Sequence, residues 1–192
     1  MTKRFRLLSA LLVMSAVTAC GDFDGRVVPI KRADPAMPIE EVRALAEQGD
    51  AEAQYKLGVR YDRGQGVAQD YQEALHWYRL AAAQGYSAAQ YNLCSMSDTG
   101  QGLPQDYQEA LRWCRLAADQ GQGRAMYNLG LHYQKGQGVP RDLLQAHKWY
   151  NLAAAAGYDQ GAKMRDRLAK EMTAAQIAEA HRLAREWKPV NN

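Results

Sequence analysis

A chain of 192 residues, 47% of them hydrophobic and 23% charged, has the composition of an ordinary globular protein with one buried core. Its formal net charge of +3 comes from 24 basic and 21 acidic residues, and three of the basic ones lie within the first six positions. The rest of the chain is close to neutral and has no stripe of basic and aromatic residues. That charge pattern excludes nucleic-acid binding as its main role.

The first 19 residues have the pattern of a secretory signal peptide. Lys3, Arg4 and Arg6 precede eleven mainly apolar residues that run from Leu7 to Val17. This run is about half the ~20 residues that a membrane-spanning helix needs. We therefore predict that residues 1–19 are cleaved rather than retained in a membrane.

The end of this segment, Val-Thr-Ala-Cys, resembles the lipobox of bacterial lipoproteins. The resemblance implies that Cys20 becomes the lipidated N-terminus, and Gly21 in place of an Asp favours the outer membrane over the inner one. We expect a protein of the bacterial envelope whose domain faces the periplasm and which meets the membrane only through its lipid anchor. The alternative is a soluble secreted protein with an incidental cysteine. Residues 20–38 contain three prolines and no helical period, which indicates a flexible tether.

One period of 36 residues dominates the remainder of the chain. It relates four glycines, three tyrosines and three tryptophans: Gly49, Gly85, Gly121, Gly157, Tyr55, Tyr91, Tyr127, Trp77, Trp113 and Trp149. The period defines three units, 49–84, 85–120 and 121–157. Each is predicted to form two helices, A and B, joined by a turn at a Gly-x-Gly pair.

Capping residues predict where these helices begin and end. In the first unit, helix A is expected to end near Arg63, before two glycines, and helix B to begin at Asp70. The segment from Asp70 to Glu73 indicates a capping box, in which Asp accepts from first-turn amides and Glu reaches back to the amide of the Asp. The same pattern recurs at Asp106 and, with Gln in place of Glu, at Asp142.

Both ends of the array require caps, because a single hairpin cannot bury its apolar face alone. Residues 39–48 are predicted to form an N-terminal capping helix, and residues 158–192 the C-terminal capping helices. The last helix is expected to start at Thr173, in a capping box with Gln176. The predicted fold is all-α: a right-handed α/α superhelical solenoid of three 36-residue helix-turn-helix repeats between these caps.

The repeated motif also points to a family. The segment Ala-Gln-Tyr-Lys-Leu-Gly-x-x-Tyr-x-x-Gly-x-Gly-Val-x-x-Asp, with Tyr55 in third place, precedes Glu-Ala-x-x-Trp-Tyr-x-x-Ala-Ala. This unit resembles the Sel-one-like repeats, which are relatives of tetratricopeptide repeats. The resemblance implies an α/α solenoid that acts as an adaptor or scaffold for a protein or peptide. Some envelope members are linked to β-lactams or peptidoglycan, so the alternative function is binding, or hydrolysis, of such a ligand.

Two cysteines break the repeat pattern in the middle unit. Cys94 stands where the other units have Gly, and Cys114 stands where they have Tyr. In hairpins of the tetratricopeptide type, these two positions face each other. The resemblance therefore implies a Cys94–Cys114 disulfide, worth about 3 kcal/mol for a loop of this order. The alternative is a pair of buried free thiols.

The sequence contains no arrangement that predicts catalysis. The Gly-x-Gly pairs recur once per unit as turns, and neither a nucleophile elbow nor a phosphate-binding loop is present. The histidines fall at unrelated repeat positions and are interpreted as solvated or helix-face residues: His76, His132, His147 and His181. We expect no enzyme activity, no cofactor and no bound metal.

The concave side of such a solenoid is the expected binding surface, and helix A residues line it. The predicted partner-binding residues are Tyr55, Lys56, Val59, Tyr91, Asn92, Ser95, Tyr127, Asn128 and Leu131. Tyrosine offers a large contact area at a low entropy cost, and Asn can pair with the amides of an extended peptide. The competing interpretation is that the Tyr residues serve packing. The combined prediction is a monomeric envelope lipoprotein that holds a protein partner in this groove.

Overall fold

The computed structural model describes residues 37–189, and this part of the chain folds into nine α-helices. Their bounds are α1 Ile39–Glu47, α2 Ala51–Arg63, α3 Tyr71–Ala83, α4 Ser87–Thr99, α5 Tyr107–Asp119, α6 Gly123–Lys135, α7 Leu143–Ala155, α8 Asp159–Ala169 and α9 Ala174–Glu186. The predicted signal peptide, the lipidation site at Cys20 and nearly all of the tether lie outside the described residues. Within the described residues, no helix is both long and apolar enough to cross a membrane.

The three repeats form three hairpins whose turns follow the predicted chemistry. Helices α2, α4 and α6 are the A helices, and each ends at a glycine in the left-handed conformation, as at Gly64 with φ 64°. Helices α3, α5 and α7 are the B helices, and each begins after an Asp cap. The Asp70 carboxylate accepts from the backbone amides of Gln72 and Glu73 at 2.8 and 3.1 Å. The all-α repeat fold is therefore confirmed.

One half of the predicted capping box is wrong. Glu73 does not reach back to the amide of Asp70, because that amide already donates to the Tyr61 carbonyl of the A helix at 3.0 Å. The Glu73 carboxylate instead accepts from the indole of Trp77, one turn along the helix, at 3.2 Å. The second repeat shows the same arrangement. At the last helix, where no such carbonyl competes, Thr173 and its partner form both halves of the box.

Small side chains set how closely the helices pack. Each A helix packs along the B helix of its own hairpin, and each B helix packs on the A helix of the next hairpin. The contacts are made by alanines with no exposed surface: Ala74, Ala81, Ala110, Ala117, Ala146 and Ala153. Neighbouring A helices α4 and α6 also touch, whereas consecutive B helices of the three repeats approach each other less. This contact places α4 and α6 side by side along the stack.

Capping elements cover both ends of the array. At the N-terminal end, Val42 and Ala46 of α1 pack on Leu57 and Trp77 of the first hairpin. Met37, predicted as the end of the tether, is buried in the same cluster. At the C-terminal end, α8 and α9 both pack against α7 but make few contacts with each other. The terminal pair is thus not a closed hairpin.

Candidate partner-binding face

The predicted partner-binding residues lie along the A helices, and all of them are half-buried. We call this surface the A-helix face: Tyr55, Lys56, Val59, Tyr91, Asn92, Ser95, Tyr127, Asn128 and Leu131. Three positions from each of α2, α4 and α6 contribute to it, one set per repeat. The structure thus brings together the residues that the period selected.

Two of the three tyrosines stand in aromatic clusters of the same design. The Tyr55 ring lies between Tyr78 of helix B and Tyr86, with ring centroids 5.9 and 5.0 Å away. Tyr127 lies in the same way between Tyr150 and Tyr158, at 5.6 and 5.3 Å. Tyr55 and Tyr127 therefore have fixed ring positions, which lowers the entropy cost of contacting a partner.

The middle repeat lacks this cluster. In register with Tyr78 and Tyr86, it has Cys114 and Gln122. The structure pairs Cys94 with Cys114, whose Cα atoms are 5.1 Å apart, a separation within the range that a disulfide spans. The Tyr91 ring packs on the core cluster that contains both cysteines. In the middle repeat, the tyrosine of the face therefore packs near a disulfide instead of between two aromatic rings.

The remaining polar residues of the face are partly engaged within the protein. Asn128 donates to the Cys94 sulfur of the preceding repeat at 3.8 Å. The Lys56 ammonium pairs with Glu52 at 2.7 Å, one turn away on α2. Val59 packs against the core cluster between the first two repeats, and Leu131 against the cluster at the C-terminal end. The face therefore contributes to packing between repeats as well as offering surface to a partner.

Burial makes several tyrosine hydroxyls harder to ionise. It is the main cause that raises the pKa of five of them: Tyr78, Tyr86, Tyr91, Tyr127 and Tyr150. At Tyr78, the Asp62 carboxylate raises the pKa further, and hydrogen bonding by Asn92 acts in the opposite direction. Nearby Arg124 opposes the rise at Tyr91. Tyr91 and Tyr127, the two of these that belong to the face, therefore keep neutral hydroxyls that can donate and accept hydrogen bonds.

A hydrogen-bonded pair of glutamines, one buried and one exposed, joins helix A to the end of helix B, and it was not predicted from the sequence. Gln90 is 4% exposed, and its side chain accepts from Gln120 at 2.8 Å and donates to the Ala82 carbonyl at 3.3 Å. Gln54 and Gln84 form the same pair in the first repeat. The third repeat has Met and Ala at the equivalent positions, 126 and 156. The joint replacement of both glutamines in the third repeat is the feature of the sequence that could have indicated their contact.

Two of the histidines were also misjudged. His132 and His147 are each only 1% exposed, so neither is solvated. Nδ1 of His132 lies 3.0 Å from the Gln137 carbonyl oxygen, while Nδ1 of His147 is buried without a hydrogen-bond partner. Burial is the main cause that lowers the pKa of His147, to about 4, and His181 lowers it further. Among the described residues, no group of three or more His, Cys, Asp or Glu could hold a metal ion.

Comparison with known families decides what these hairpins are. The model of the Sel1 repeat matches residues 51–86, 87–122 and 123–158 in succession. The chain belongs to the Sel1 repeat family. Each matched repeat begins with an A helix and ends at the cap of the next one, and it starts two residues later than the corresponding unit defined by the period. The expected family is thereby confirmed.

Solved structures of other Sel1 repeat proteins agree with this assignment. A Sel1 repeat protein from Oxalobacter formigenes is 36% identical, with a TM-score of 0.62, and the match covers 67% of this chain and 97% of that one. A protective antigen of uropathogenic Escherichia coli strains, which displays an SLR fold, is 32% identical with a TM-score of 0.56. That match covers 77% of this chain but 40% of the antigen. No curated protein matches this chain in sequence.

Proposed function

We propose that this Sel1 repeat protein is a scaffold or adaptor that holds a protein or peptide partner on its A-helix face. Sel1 repeat solenoids commonly serve as interaction scaffolds. The observation that carries the proposal is the row formed by Tyr55, Tyr91 and Tyr127, half-buried on successive A helices. Partly exposed tyrosines are typical of protein-binding surfaces.

Site-specific crosslinking in cells tests which face meets the partner. A photoreactive amino acid at Ser95 would place the probe on the A-helix face at the middle of the array. The matched control carries the probe at Leu116, which is 42% exposed on the B helix of the same repeat. We expect a discrete protein adduct from position 95 and none from position 116. The opposite pattern would contradict the assignment of the face.

Substitution of the two asparagines tests the polar part of the same face. Asn92→Ala with Asn128→Ala removes two amides that could pair with an extended backbone. We expect capture of the crosslinked partner to fall while the purified double variant keeps its helical circular dichroism. Unchanged capture would assign the asparagines to packing between repeats, as the contact of Asn128 with the Cys94 sulfur suggests.

We also propose that the scaffold is anchored in the bacterial envelope, at the outer membrane, through a lipid on Cys20. Metabolic labelling with a fatty-acid analogue should mark the wild-type protein and leave Cys20→Ala unlabelled and outside the membrane fraction. Equal labelling of the two proteins would disprove the anchor without affecting the proposed scaffold. The family match does not favour the alternative of a peptidoglycan- or β-lactam-binding protein. Sel1 repeat solenoids are generally scaffolds rather than enzymes.

A further inference from the structure

A cleft opens at the C-terminal end of the array because the last two helices diverge. Helix α7 packs against both α8 and α9, which make few contacts with each other. The gap between them has a volume of about 480 Å³. Its polar lining comes from all three helices: His147, Asn151, Arg165, Asp166, His181 and Arg185. None of these residues belongs to the A-helix face.

The Arg165 guanidinium is held in a fixed position on one wall of this cleft. It donates through Nη1 to the Asn151 side chain at 3.1 Å and through Nε to Asp166 at 2.9 Å, and Nη2 lies 2.8 Å from the same carboxylate oxygen. A guanidinium has five N–H donors, so these contacts leave donors free. Because only 29% of the Arg165 side chain is exposed, the remaining donors are oriented rather than mobile. A preorganised donor loses little entropy when a ligand binds.

The second wall contributes imidazoles instead of carboxylates. The rings of His147 and His181 lie 5.2 Å apart, and the buried Nδ1 of His147 lacks a hydrogen-bond partner. An unsatisfied buried polar atom is costly, so such an atom beside a cleft is a feature that a ligand would complete. Arg185 lines the cleft from α9, while Asp166 is the only acidic residue of the lining. The local charge is therefore positive.

We propose that this cleft binds a small oxyanion, a carboxylate or a phosphate, between the Arg165 guanidinium and the His147–His181 pair, with Arg185 at the rim. The same positive charge disfavours a metal cation, although two imidazoles are present. Arginine is suited to either oxyanion, because its planar fork matches both carboxylate and phosphate oxygens. The site is independent of the proposed scaffold face, and either one could exist without the other.

Calorimetric titration of the purified protein with inorganic phosphate and, separately, with succinate tests the site at neutral pH. We expect saturable binding of at least one ion, and the ion that binds more tightly identifies the source of the oxyanion. Arg185→Gln should weaken that binding about tenfold, because it removes a charged hydrogen-bond donor from the rim. Arg167→Gln is the matched control, since Arg167 is an exposed arginine of α8 that does not line the cleft.

A proton titration followed by nuclear magnetic resonance separates a binding site from a structural cluster. A bound anion favours the imidazolium form, so the titration midpoint of the His147 ring should rise when the ion that binds is present. At an ion concentration that saturates the wild type but not the Arg185→Gln variant, the midpoint should rise less in the variant. Absence of saturable binding by both ions would overturn the proposal, as would equal affinity of the Arg185→Gln and Arg167→Gln variants. Binding of zinc without binding of either anion would also overturn it.

Discussion

Gly58 packs directly against the ring of Tyr78: a Cβ atom at position 58 would lie 2.6 Å from the Cδ1 of that ring. Gly130 meets Tyr150 in the same way, with a distance of 2.5 Å. Neither glycine has the left-handed backbone that favours its residue type, so both are present for space alone. In the middle repeat, Cys94 occupies the equivalent position and faces no ring.

Adding one methyl group at this contact should therefore destabilise the protein. We expect Gly58→Ala to lower the free energy of unfolding by about 1 to 3 kcal/mol, because the buried Tyr78 ring has to move. Urea denaturation followed by circular dichroism measures the change. An equal or higher stability, as helix propensity alone would give for Gly→Ala, would show that the ring moves freely.

Removal of the Cys94–Cys114 disulfide should lower the free energy of unfolding by more than the loss of the apolar contacts of the two side chains. Because the two cysteines are separated by 20 in sequence, we expect Cys94→Ala with Cys114→Ala to lose about 3 kcal/mol under oxidising conditions. The wild type should lose a similar amount on reduction. Alkylation of both thiols in protein that was never reduced would show that the pair exists as free cysteines.

The neighbouring repeats supply the matched control for this experiment. Cys94→Gly with Cys114→Tyr installs the contact that Gly58 makes with Tyr78. We expect this variant to be more stable than the double alanine variant, because the tyrosine ring fills the core space, and to be insensitive to reductant. If it unfolds, the cysteines are fixed by surroundings beyond the pair itself, such as the packed ring of Tyr91.

The hydrogen bond between buried Gln90 and exposed Gln120 can be tested by removing one or both of its partners. Gln90→Ala removes the acceptor of the Gln120 amide and one of the donors to the Ala82 carbonyl, which still accepts from the backbone amide of Gly85 at 3.0 Å. We expect this variant to lose about 1 kcal/mol of stability. Gln90→Met with Gln120→Ala copies the third repeat and removes both polar groups together. Thermal unfolding should rank the double variant above the single one. The reverse order would mean that the glutamines are satisfied by water.

The stability of the protein should fall as the solution is acidified through the range set by His147. Burial lowers the pKa of His147 from 6.5 to about 4, with His181 and Arg165 acting in the same direction and Asp166 in the opposite one. The unfolded chain therefore binds a proton first, and stability is lost between pH 6.5 and about 4. The loss attributable to this group is about 3 kcal/mol by the linkage of pKa to free energy.

Comparison of the wild type with His147→Gln isolates this contribution. The variant removes the titrating group and keeps a side chain of similar polarity. We expect the slope of unfolding free energy against pH to flatten over that range, with little change below pH 4. An unchanged slope would assign the acid sensitivity to other groups of the protein.

The sequence predicted most of the repeat fold because the residues that pack, cap and turn each hairpin recur at the same positions in all three repeats. Each hairpin has a glycine at the position of Gly64 and an aspartate at the position of Asp70. The ends of the helices could therefore be predicted with few errors. The joint change at Cys94 and Cys114 exposed a contact between two helices for the same reason. Position 90 carried an equally clear signal, but a glutamine on an amphipathic helix is normally assigned to the surface.

The other differences arise where a distant contact decides the outcome. The amide of Asp70 is occupied by the Tyr61 carbonyl from the preceding helix, so local capping rules chose the wrong partner for Glu73. At the C-terminal end, α8 and α9 depart from the period. No repeat position could therefore reveal that α9 packs on α7 and places His181 beside His147.

The cysteine pair, the glutamine pairs and the aromatic clusters all lie within single matched repeats, such as 51–86 and 87–122. Gene duplication or deletion of one complete 36-residue block would therefore carry every such pair intact. Exchange of one helix between blocks would instead leave Cys94 opposite a tyrosine, or a buried glutamine opposite alanine. The segment that can be duplicated or deleted without breaking these contacts is consequently the whole hairpin. Arrays of other lengths could arise by recombination at the repeat boundaries.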